Sequence, residues 1–242
     1  MKKIVFLCVC VFSLSFADNF QANFAKAIKD SSGVSVSVLV KKELESLGGL
    51  YFVIGKTQGG DIFPVIVSGD GKYFIGLSSV MHLSKNDSKL IADSIAKASK
   101  DKEAQDSIAL NKLFKTFSEN DFIFLEGVGK NLPTKIVITD PDCPYCRDEL
   151  KNAEKQLKEA NLKLIFAPVH DKAAFIKAQL ALNESKKAKS TKEKLEILRK
   201  YYKDIELSKT QLKTDIKQVQ NTTKVIFDSG LVRGVPFIFE EK

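Results

Sequence analysis

The chain has 242 residues, of which 44% are hydrophobic, and a formal net charge of +8. This length predicts one large or two small domains, with enough apolar interior to fold without disulfide cross-links. The lysines are spread along the sequence, and aromatic and basic residues do not alternate as they do in an RNA-binding sheet. The charge therefore indicates a solvated, lysine-rich surface and argues against nucleic-acid binding.

The first 17 residues have the pattern of a cleaved export signal. Two lysines precede an apolar run from Ile4 to Phe16, which ends in the small-residue cleavage pattern Ser15-Phe16-Ala17. The run is short for a membrane span, so an uncleaved anchor is the weaker alternative. Cleavage before residue 18 would remove Cys8 and Cys10 and leave two cysteines in an exported protein.

Residues 18–85 predict a small β domain. Apolar residues at helical spacing indicate a helix from about Asn19 to Lys29, and four β-rich runs follow. Glycine-containing turns, two of them with an adjacent aspartate, separate the runs and predict antiparallel hairpins. Such a sheet is too thin to bury both faces alone, so we expect it to pair with a second copy of itself. The predicted strands are Val34–Val40, Leu50–Gly55, Ile62–Val67 and Tyr73–Gly76.

Residues 86–120 predict a linker helix. Asn86, Asp87 and Ser88 are good N-cap residues, and apolar stripes occupy both ends of the stretch that follows them. The middle, from Ser99 to Glu103, is wholly polar. This pattern favours a connector that packs at each end and crosses solvent between them, with a helical hairpin as the alternative.

Residues 121–242 predict a second, α/β domain. Strands are expected at Phe122–Leu125, Lys135–Thr139 and Leu162–Ala167, and a helix between the last two makes a βαβ unit. A lysine-rich helical stretch over about 172–225 would lie over one side of the sheet. Near the end, Pro236 opens an apolar strand, which by itself indicates an edge strand.

The reactive residues of this domain are predicted to be in the segment Cys143-Pro144-Tyr145-Cys146, where a strand ends and a helix begins. A cysteine at a helix N-terminus is close to unpaired N–H groups and the positive end of the helix dipole, which favour its thiolate form. The thiolate is the nucleophile of thiol–disulfide exchange. A second cysteine one helical turn later can reach back and resolve a mixed disulfide, so the spacing predicts a redox-active dithiol.

Other sites that use this spacing fit less well. A zinc site would need a second ligand pair, but the histidines, His82 and His170, are far apart in the sequence. A c-type haem would need histidine where the chain has Arg147. A purely structural disulfide stays possible, although it would close a loop of four residues and restrain the unfolded chain little. We expect no metal and no cofactor.

The segment TDPDCPYC, from Thr139 to Cys146, together with Gly234-Val235-Pro236, resembles the thioredoxin superfamily, and within it the exported disulfide isomerases of the DsbC/DsbG type. The small β domain, the connecting helix and the late helical insertion are similar to that type too. The resemblance therefore implies an α+β fold: a small N-terminal antiparallel β domain, a connecting helix and a C-terminal thioredoxin-like α/β domain with a helical insertion.

The resemblance also implies a cellular location, an oligomeric state and partner proteins. It implies a periplasmic, V-shaped homodimer joined through the N-terminal domains, which acts on unfolded or misoxidised exported client proteins. A membrane thiol reductant, or an oxidant, would reset the dithiol. Pro236 would be cis and lie against Cys143, and the backbone of Val235 would pair with a client strand.

The sequence differs from that of the DsbC/DsbG-type isomerases at two places, and each difference leads to a further expectation. Valine at position 235 is more typical of oxidase relatives, whereas the isomerases have threonine there. The relatives continue through a further strand and a closing helix, whereas six residues follow Pro236 here. We therefore expect a shortened domain with an unpaired sheet edge and one bare face, unless another segment covers them.

These observations support the hypothesis of an enzyme, an exported thiol–disulfide oxidoreductase that isomerises or reduces non-native disulfides in client proteins. Cys143 would attack and Cys146 would resolve, Pro144-Tyr145 would tune the potential of the dithiol, and Val235-Pro236 would position the client. The alternatives are a dithiol oxidase with a DsbA-like role, a reductase with few clients, and a holdase chaperone that works without redox chemistry.

Overall fold

The structure is a computed structural model that describes residues 16–77 and 82–241. The predicted export signal therefore lies, apart from its last two residues, outside the described residues. Contacts divide the chain into two compact units, one ending at Ala104 and the other beginning at Gln105. This division falls within a helix, and the domain borders inferred from the sequence stay predictions.

The first unit is an antiparallel sheet with the strand order β1-β2-β3-β4. The tight turn between β3 and β4 contains Gly71, whose φ of +79° is a conformation that glycine adopts without steric cost. A Cβ at this position would lie 2.4 Å from the carbonyl oxygen of Phe20 in the packed helix. The elements are α1 (Phe16–Ser32), β1 (Val36–Glu43), β2 (Leu50–Thr57), β3 (Ile62–Ser68), β4 (Phe74–Gly76) and the first part of α2 (Lys85–Phe114).

Helices of the same chain cover both faces of this sheet. Phe20, Phe24 and Ile28 of α1 are spaced four residues apart and pack on one face. Ile91 and Ala98 of α2 pack on the other. The two helices therefore supply the cover that the sheet was predicted to need, and the faces of the sheet give no reason for a second copy. Pairing with a second copy stays a prediction.

Helix α2 is a single helix of 30 residues, so the alternative of a helical hairpin was wrong. Its N-terminal part belongs to the core of the first unit, and Leu110 and Phe114 belong to the core of the second. Asp87, predicted as a cap of this helix, is buried and accepts hydrogen bonds from the backbone N–H groups of Glu45 and Ser46 instead. The predicted connecting helix is confirmed.

The second unit has a mixed four-stranded sheet with the order β5-β7-β6-β8. Strands β6 and β7 are parallel and joined through a helical crossover, and β5 and β8 pair antiparallel at the edges. The predicted helical insertion is three helices. The elements are β5 (Phe122–Leu125), β6 (Thr134–Thr139), α3 (Pro144–Lys151), α4 (Ala153–Gln156), β7 (Asn161–Phe166), α5 (Lys172–Ser185), α6 (Thr191–Tyr201), α7 (Lys217–Asp228) and β8 (Phe237–Glu240).

The face of this sheet that was expected to be bare is covered. Leu110 and Phe114, from the end of α2, and Ile226 of α7 pack on it. The Phe114 ring stacks on that of Phe239 in β8, with the centroids 6.1 Å apart. The connecting helix supplies this cover, so for this face the alternative that another segment covers it is the one found. In the described residues no strand pairs with the outer edge of β8.

Phe114→Ala is expected to lower the free energy of unfolding of the second unit by about 3–5 kcal/mol, because it removes a buried ring and leaves a cavity above the sheet. Ile108→Ala on the same helix is the matched control. Its side chain is 71% exposed, so we expect a change within about 0.5 kcal/mol. Urea unfolding followed by near-UV circular dichroism measures both, and equal effects would show that α2 does not pack as described.

Candidate active site

The dithiol lies where β6 ends and α3 begins. Cys143 is the N-cap residue of α3, with φ −75° and ψ 121°, and Pro144 follows at the first helical position, where a missing N–H is tolerated. The Cys143 side chain makes no capping hydrogen bond. Both cysteines are free thiols. The predicted site at a strand-to-helix junction therefore has a sulfur at a helix N-terminus.

Both cysteines of the motif are buried. Cys143 is 5% exposed and Cys146 is 1% exposed. The peptide bond between Val235 and Pro236 is cis, as the resemblance implied. It places the carbonyl oxygen of Val235 3.6 Å from the Cys143 sulfur, which donates to it. The Val235 carbonyl is therefore a direct neighbour of the Cys143 sulfur.

A buried carboxylate holds the turn before Cys143. Asp140 is fully buried, and it accepts hydrogen bonds from the backbone N–H of Asp142 at 2.9 Å, from that of Val169 at 2.9 Å and from Nδ1 of His170 at 2.6 Å. These bonds join the dithiol turn to the loop that follows β7. The short-range bond could have been read from the Asp-Pro-Asp spacing, which is typical of an aspartate turn, whereas nothing in the sequence pointed to His170 as a partner.

Asp142, next to Cys143, is held by two cations. Nζ of Lys177 lies 2.8 Å from its carboxylate, and a guanidinium nitrogen of Arg147 lies 2.9 Å from the same oxygen. Arg147 also donates from Nε to the carbonyl of Pro141 at 2.9 Å. Lys177 is only 4% exposed, so its ammonium depends on this pairing. The inserted helix α5 thus supports the dithiol turn from outside the βαβ unit.

Cys146 lies in the main core of the second unit. The pKa of its thiol is raised to about 12, chiefly by burial, while hydrogen bonds from the backbone of Asp140 and the hydroxyl of Thr139 act in the opposite direction. A cavity of about 20 Å³, large enough for one water molecule, borders its sulfur. The second cysteine is therefore the protonated and protected member of the pair.

Tyr202, which the sequence analysis did not single out, reaches the same place from the end of α6. Its hydroxyl lies 2.7 Å from that of Thr139, and it lines the small cavity beside Cys146. Complete burial raises the pKa of Tyr202 well above its usual value, so the phenol stays protonated.

Exposed apolar side chains occur in the dithiol motif and in the loop that follows β7. Tyr145, inside the dithiol motif, is 75% exposed, and Val169, whose backbone is bonded to Asp140, is 53% exposed. Val235 and Pro236 are half-buried. Exposed apolar side chains such as those of Tyr145 and Val169 are suited to contact with an extended, apolar polypeptide segment.

Neither a metal site nor a membrane span is found among residues 16–77 and 82–241. No group of three or more histidine, cysteine, aspartate or glutamate side chains in this range could hold a metal ion. No helix in it is both long and apolar enough to cross a bilayer.

Comparisons with known proteins find one matching family model and several similar solved structures. The family described as Disulfide isomerase DsbG N-terminal matches residues 24–110. Helicobacter pylori DsbG is 27% identical over 91% of this chain and 100% of that chain, with a TM-score of 0.53. The thiol–disulfide exchange protein alpha-DsbA2 from Wolbachia pipientis is 15% identical over 57% of this chain and 87% of its own, with a TM-score of 0.41. The catalytic domain of Proteus mirabilis ScsC is 17% identical over 54% and 85%, with a TM-score of 0.40.

No curated protein matches the sequence significantly. The family match covers the first sheet and most of the connecting helix, and the likeness to H. pylori DsbG extends over the dithiol-bearing unit as well.

Proposed function

We propose that the chain is a thiol–disulfide oxidoreductase of the DsbG/DsbC type, and that it isomerises or reduces non-native disulfides in exported client proteins. The match of residues 24–110 to the DsbG N-terminal family and the likeness to H. pylori DsbG support this proposal. The observation that carries the proposal is the pairing of Cys143, at the start of α3 and 3.6 Å from the Val235 carbonyl, with a buried Cys146 one helical turn away.

The first proposed step forms a mixed disulfide. The Cys143 thiolate attacks one sulfur of a client disulfide, a bond forms between them, and the other client sulfur leaves as a thiolate. In isomerisation, a client thiolate then attacks the client sulfur of the mixed disulfide. A new client disulfide forms, Cys143 leaves as a thiolate, and no net electrons are transferred.

In reduction, Cys146 ends the mixed disulfide instead. Its sulfur attacks that of Cys143, the bond to the client breaks, and the proton lost by Cys146 is balanced by the one that the client thiolate gains. The client has accepted two electrons and the dithiol is oxidised. Continued reduction therefore needs a thiol reductant, which we propose to be a membrane partner.

The surroundings of Cys143 support contact with unfolded chains. We propose that the backbone of Val235, with Pro236, positions an extended client segment. We also propose that the exposed side chains of Tyr145 and Val169 contact apolar client residues. Pro144 and Tyr145 occupy the positions between the two sulfurs, from which they would tune the potential of the dithiol.

We also propose that the protein works in the periplasm as a homodimer joined through its N-terminal units. The edge strand β1 exposes Leu39, and the register of β1 with β2 shifts between Val38 and Val40. Light scattering of the mature protein tests the dimer: twice the mass of one chain is expected, and the mass of a single chain would contradict it.

Recovery of a client with scrambled disulfides tests the proposed activity. The pre-reduced protein, present well below the client concentration, is expected to restore native pairing. Recovery that stops after one client disulfide per protein molecule, and resumes only when a reductant is added, would show that the protein reduces disulfides but does not isomerise them. The protein would instead be an oxidase if its oxidised form oxidises a reduced client faster than its reduced form restores a scrambled one. In that case Cys143 and Cys146 would be found oxidised after acid trapping in cells. Suppression of aggregation by the double Cys→Ala protein, without recovery by the unsubstituted one, would replace it with a holdase.

A further inference from the structure

The side chains of Thr139 and Tyr202 line the small buried cavity that Cys146 also lines. Thr139 is the last residue of β6, and a hydrogen bond from its hydroxyl is one of the causes that lower the pKa of the Cys146 thiol. The Tyr202 oxygen lies 2.7 Å from the Thr139 oxygen. Thr139 is 2% exposed and Tyr202 is 5% exposed, so solvent does not compete for these bonds.

The donor order among these side chains follows from their chemistry. A hydroxyl has one proton to donate and two lone pairs to accept with. If the Thr139 proton points at the sulfur, its oxygen can still accept the proton of Tyr202. The phenol keeps that proton because burial raises its pKa well above the usual value. In this order both protons point toward Cys146, and this is the order that a developing negative charge on its sulfur favours.

The reaction makes such a charge in one step only. When Cys143 attacks a client, Cys146 stays a thiol and gains nothing from the donors. When Cys146 attacks the mixed disulfide, its sulfur must lose a proton inside the core, where few groups can stabilise the thiolate. Donors already aligned on that sulfur stabilise the charged state without reorganisation.

We infer that Tyr202 is a positioning residue for release of the client, acting through Thr139, which donates directly to the sulfur of Cys146 as that sulfur attacks Cys143. The inference rests on the proposed function and adds to it a residue that acts in the second step, attack by Cys146, and not in the first. The helical insertion, through Tyr202 at the end of α6, would favour reduction over isomerisation, because it speeds the step that ends the mixed disulfide without a client thiol.

Other charged groups near Cys146 are placed differently. The Asp140 carboxylate is engaged in the bonds that it accepts from Asp142, Val169 and His170. Glu149 lines the same small cavity, and its carboxylate is bonded to the amide of Gln156. Among the described side chains that line this cavity, those of Thr139 and Tyr202 are therefore the ones that offer O–H protons.

The experiment separates the two steps with a small aromatic disulfide, dithiobis(nitrobenzoate), whose thiol is coloured on release. Attack by Cys143 gives a first phase that depends on reagent concentration, and attack by Cys146 gives a second phase that does not. Tyr202→Phe is expected to slow the second phase about tenfold, and Thr139→Val about tenfold to a hundredfold, which are the effects of losing a hydrogen bond to a charged group. The first phase should stay unchanged in both.

Two variants make the assay specific. Tyr201→Phe removes a neighbouring buried phenol that bonds to Glu184, at 2.5 Å, and should leave both phases unchanged. Thr139→Ser keeps a hydroxyl at the right place and should retain most of the second-phase rate. In Tyr202→Phe, a rise of about one pH unit should restore the rate, because a tenfold loss of thiolate corresponds to one pH unit.

The outcomes distinguish this inference from the proposed function. A wild-type second phase in both Tyr202→Phe and Thr139→Val, with a normal first phase, would overturn the inference and leave the function standing. Equal slowing of both phases would also overturn it, since the damage would be general. The absence of a first phase in the unsubstituted protein would reject the proposed function, and the inference with it.

Discussion

Replacing Cys143 with alanine is expected to reduce the recovery of a scrambled-disulfide client to the level measured without the protein. The variant lacks the sulfur that forms the mixed disulfide, and the remaining thiol, Cys146, is 1% exposed and has its pKa raised to about 12 by burial. A thiol that is both protonated and shielded attacks disulfides slowly. Recovery of native client activity measures the effect.

The Cys143→Ala variant should keep its fold, because the Cys143 side chain makes no capping bond and its loss leaves the turn bonds of Asp140 in place. An unchanged circular dichroism spectrum and melting temperature would confirm that the loss is chemical. Recovery near that of the unsubstituted protein would show that Cys143 is not the nucleophile.

Resolution by Cys146 is expected to speed up about a thousandfold between pH 6 and pH 9. Burial raises the pKa of this thiol to about 12, so across this window the sulfur is almost entirely protonated, and each pH unit multiplies its thiolate fraction by ten. The rate should therefore rise as pH rises, without a plateau. The concentration-independent phase of the aromatic disulfide assay, followed as a function of pH, measures it.

The neighbours of Cys146 should add little curvature to this pH profile. Tyr202 keeps its proton across the window, because burial raises its pKa well above the usual value. In the mixed disulfide Cys143 carries no titratable proton. His170 is bonded to Asp140 at 2.6 Å, and the His170→Gln variant controls for its contribution. A plateau below pH 8 that persists in this variant would mean that Cys146 ionises near neutrality and that burial does not control its reactivity.

The parts of the site predicted from the sequence are those set by neighbours along the chain. The β-branched run before Cys143 and the amphipathic residues after it place the dithiol at a strand-to-helix junction. The cis bond at Pro236 and its position against Cys143 came from the resemblance, since a proline before a strand indicates by itself only an edge. The connecting helix followed from its two apolar ends.

The partners supplied by the helical insertion could not be predicted in the same way. Lys177 is bonded to Asp142, 35 residues earlier, and Tyr202 is bonded to Thr139, 63 residues earlier. Periodicity indicates that a residue faces a core but does not say which side chain it meets there. A lysine at a buried helical position also reads as a solvated charge in a lysine-rich stretch, until the carboxylate opposite it is known.

The cover of the sheet in the second unit shows a similar limit. The apolar stripe of Leu110 and Phe114 was recognised as the end of a connector, but its place on the face beside β8 depends on the three-dimensional path of α2. The sequence therefore left open whether this face is bare or covered by another segment, and the structure shows that it is covered.

Covalent trapping of a client by the Cys146→Ala variant tests the central claim most directly. Without the resolving sulfur, the mixed disulfide should accumulate, and peptide mapping by mass spectrometry under non-reducing conditions should find the client joined to Cys143. We expect this adduct to form with an unfolded client that contains disulfides. We expect it to disappear when a reductant is added. The absence of any covalent complex in this variant, while the unsubstituted protein still restores the client, would contradict it.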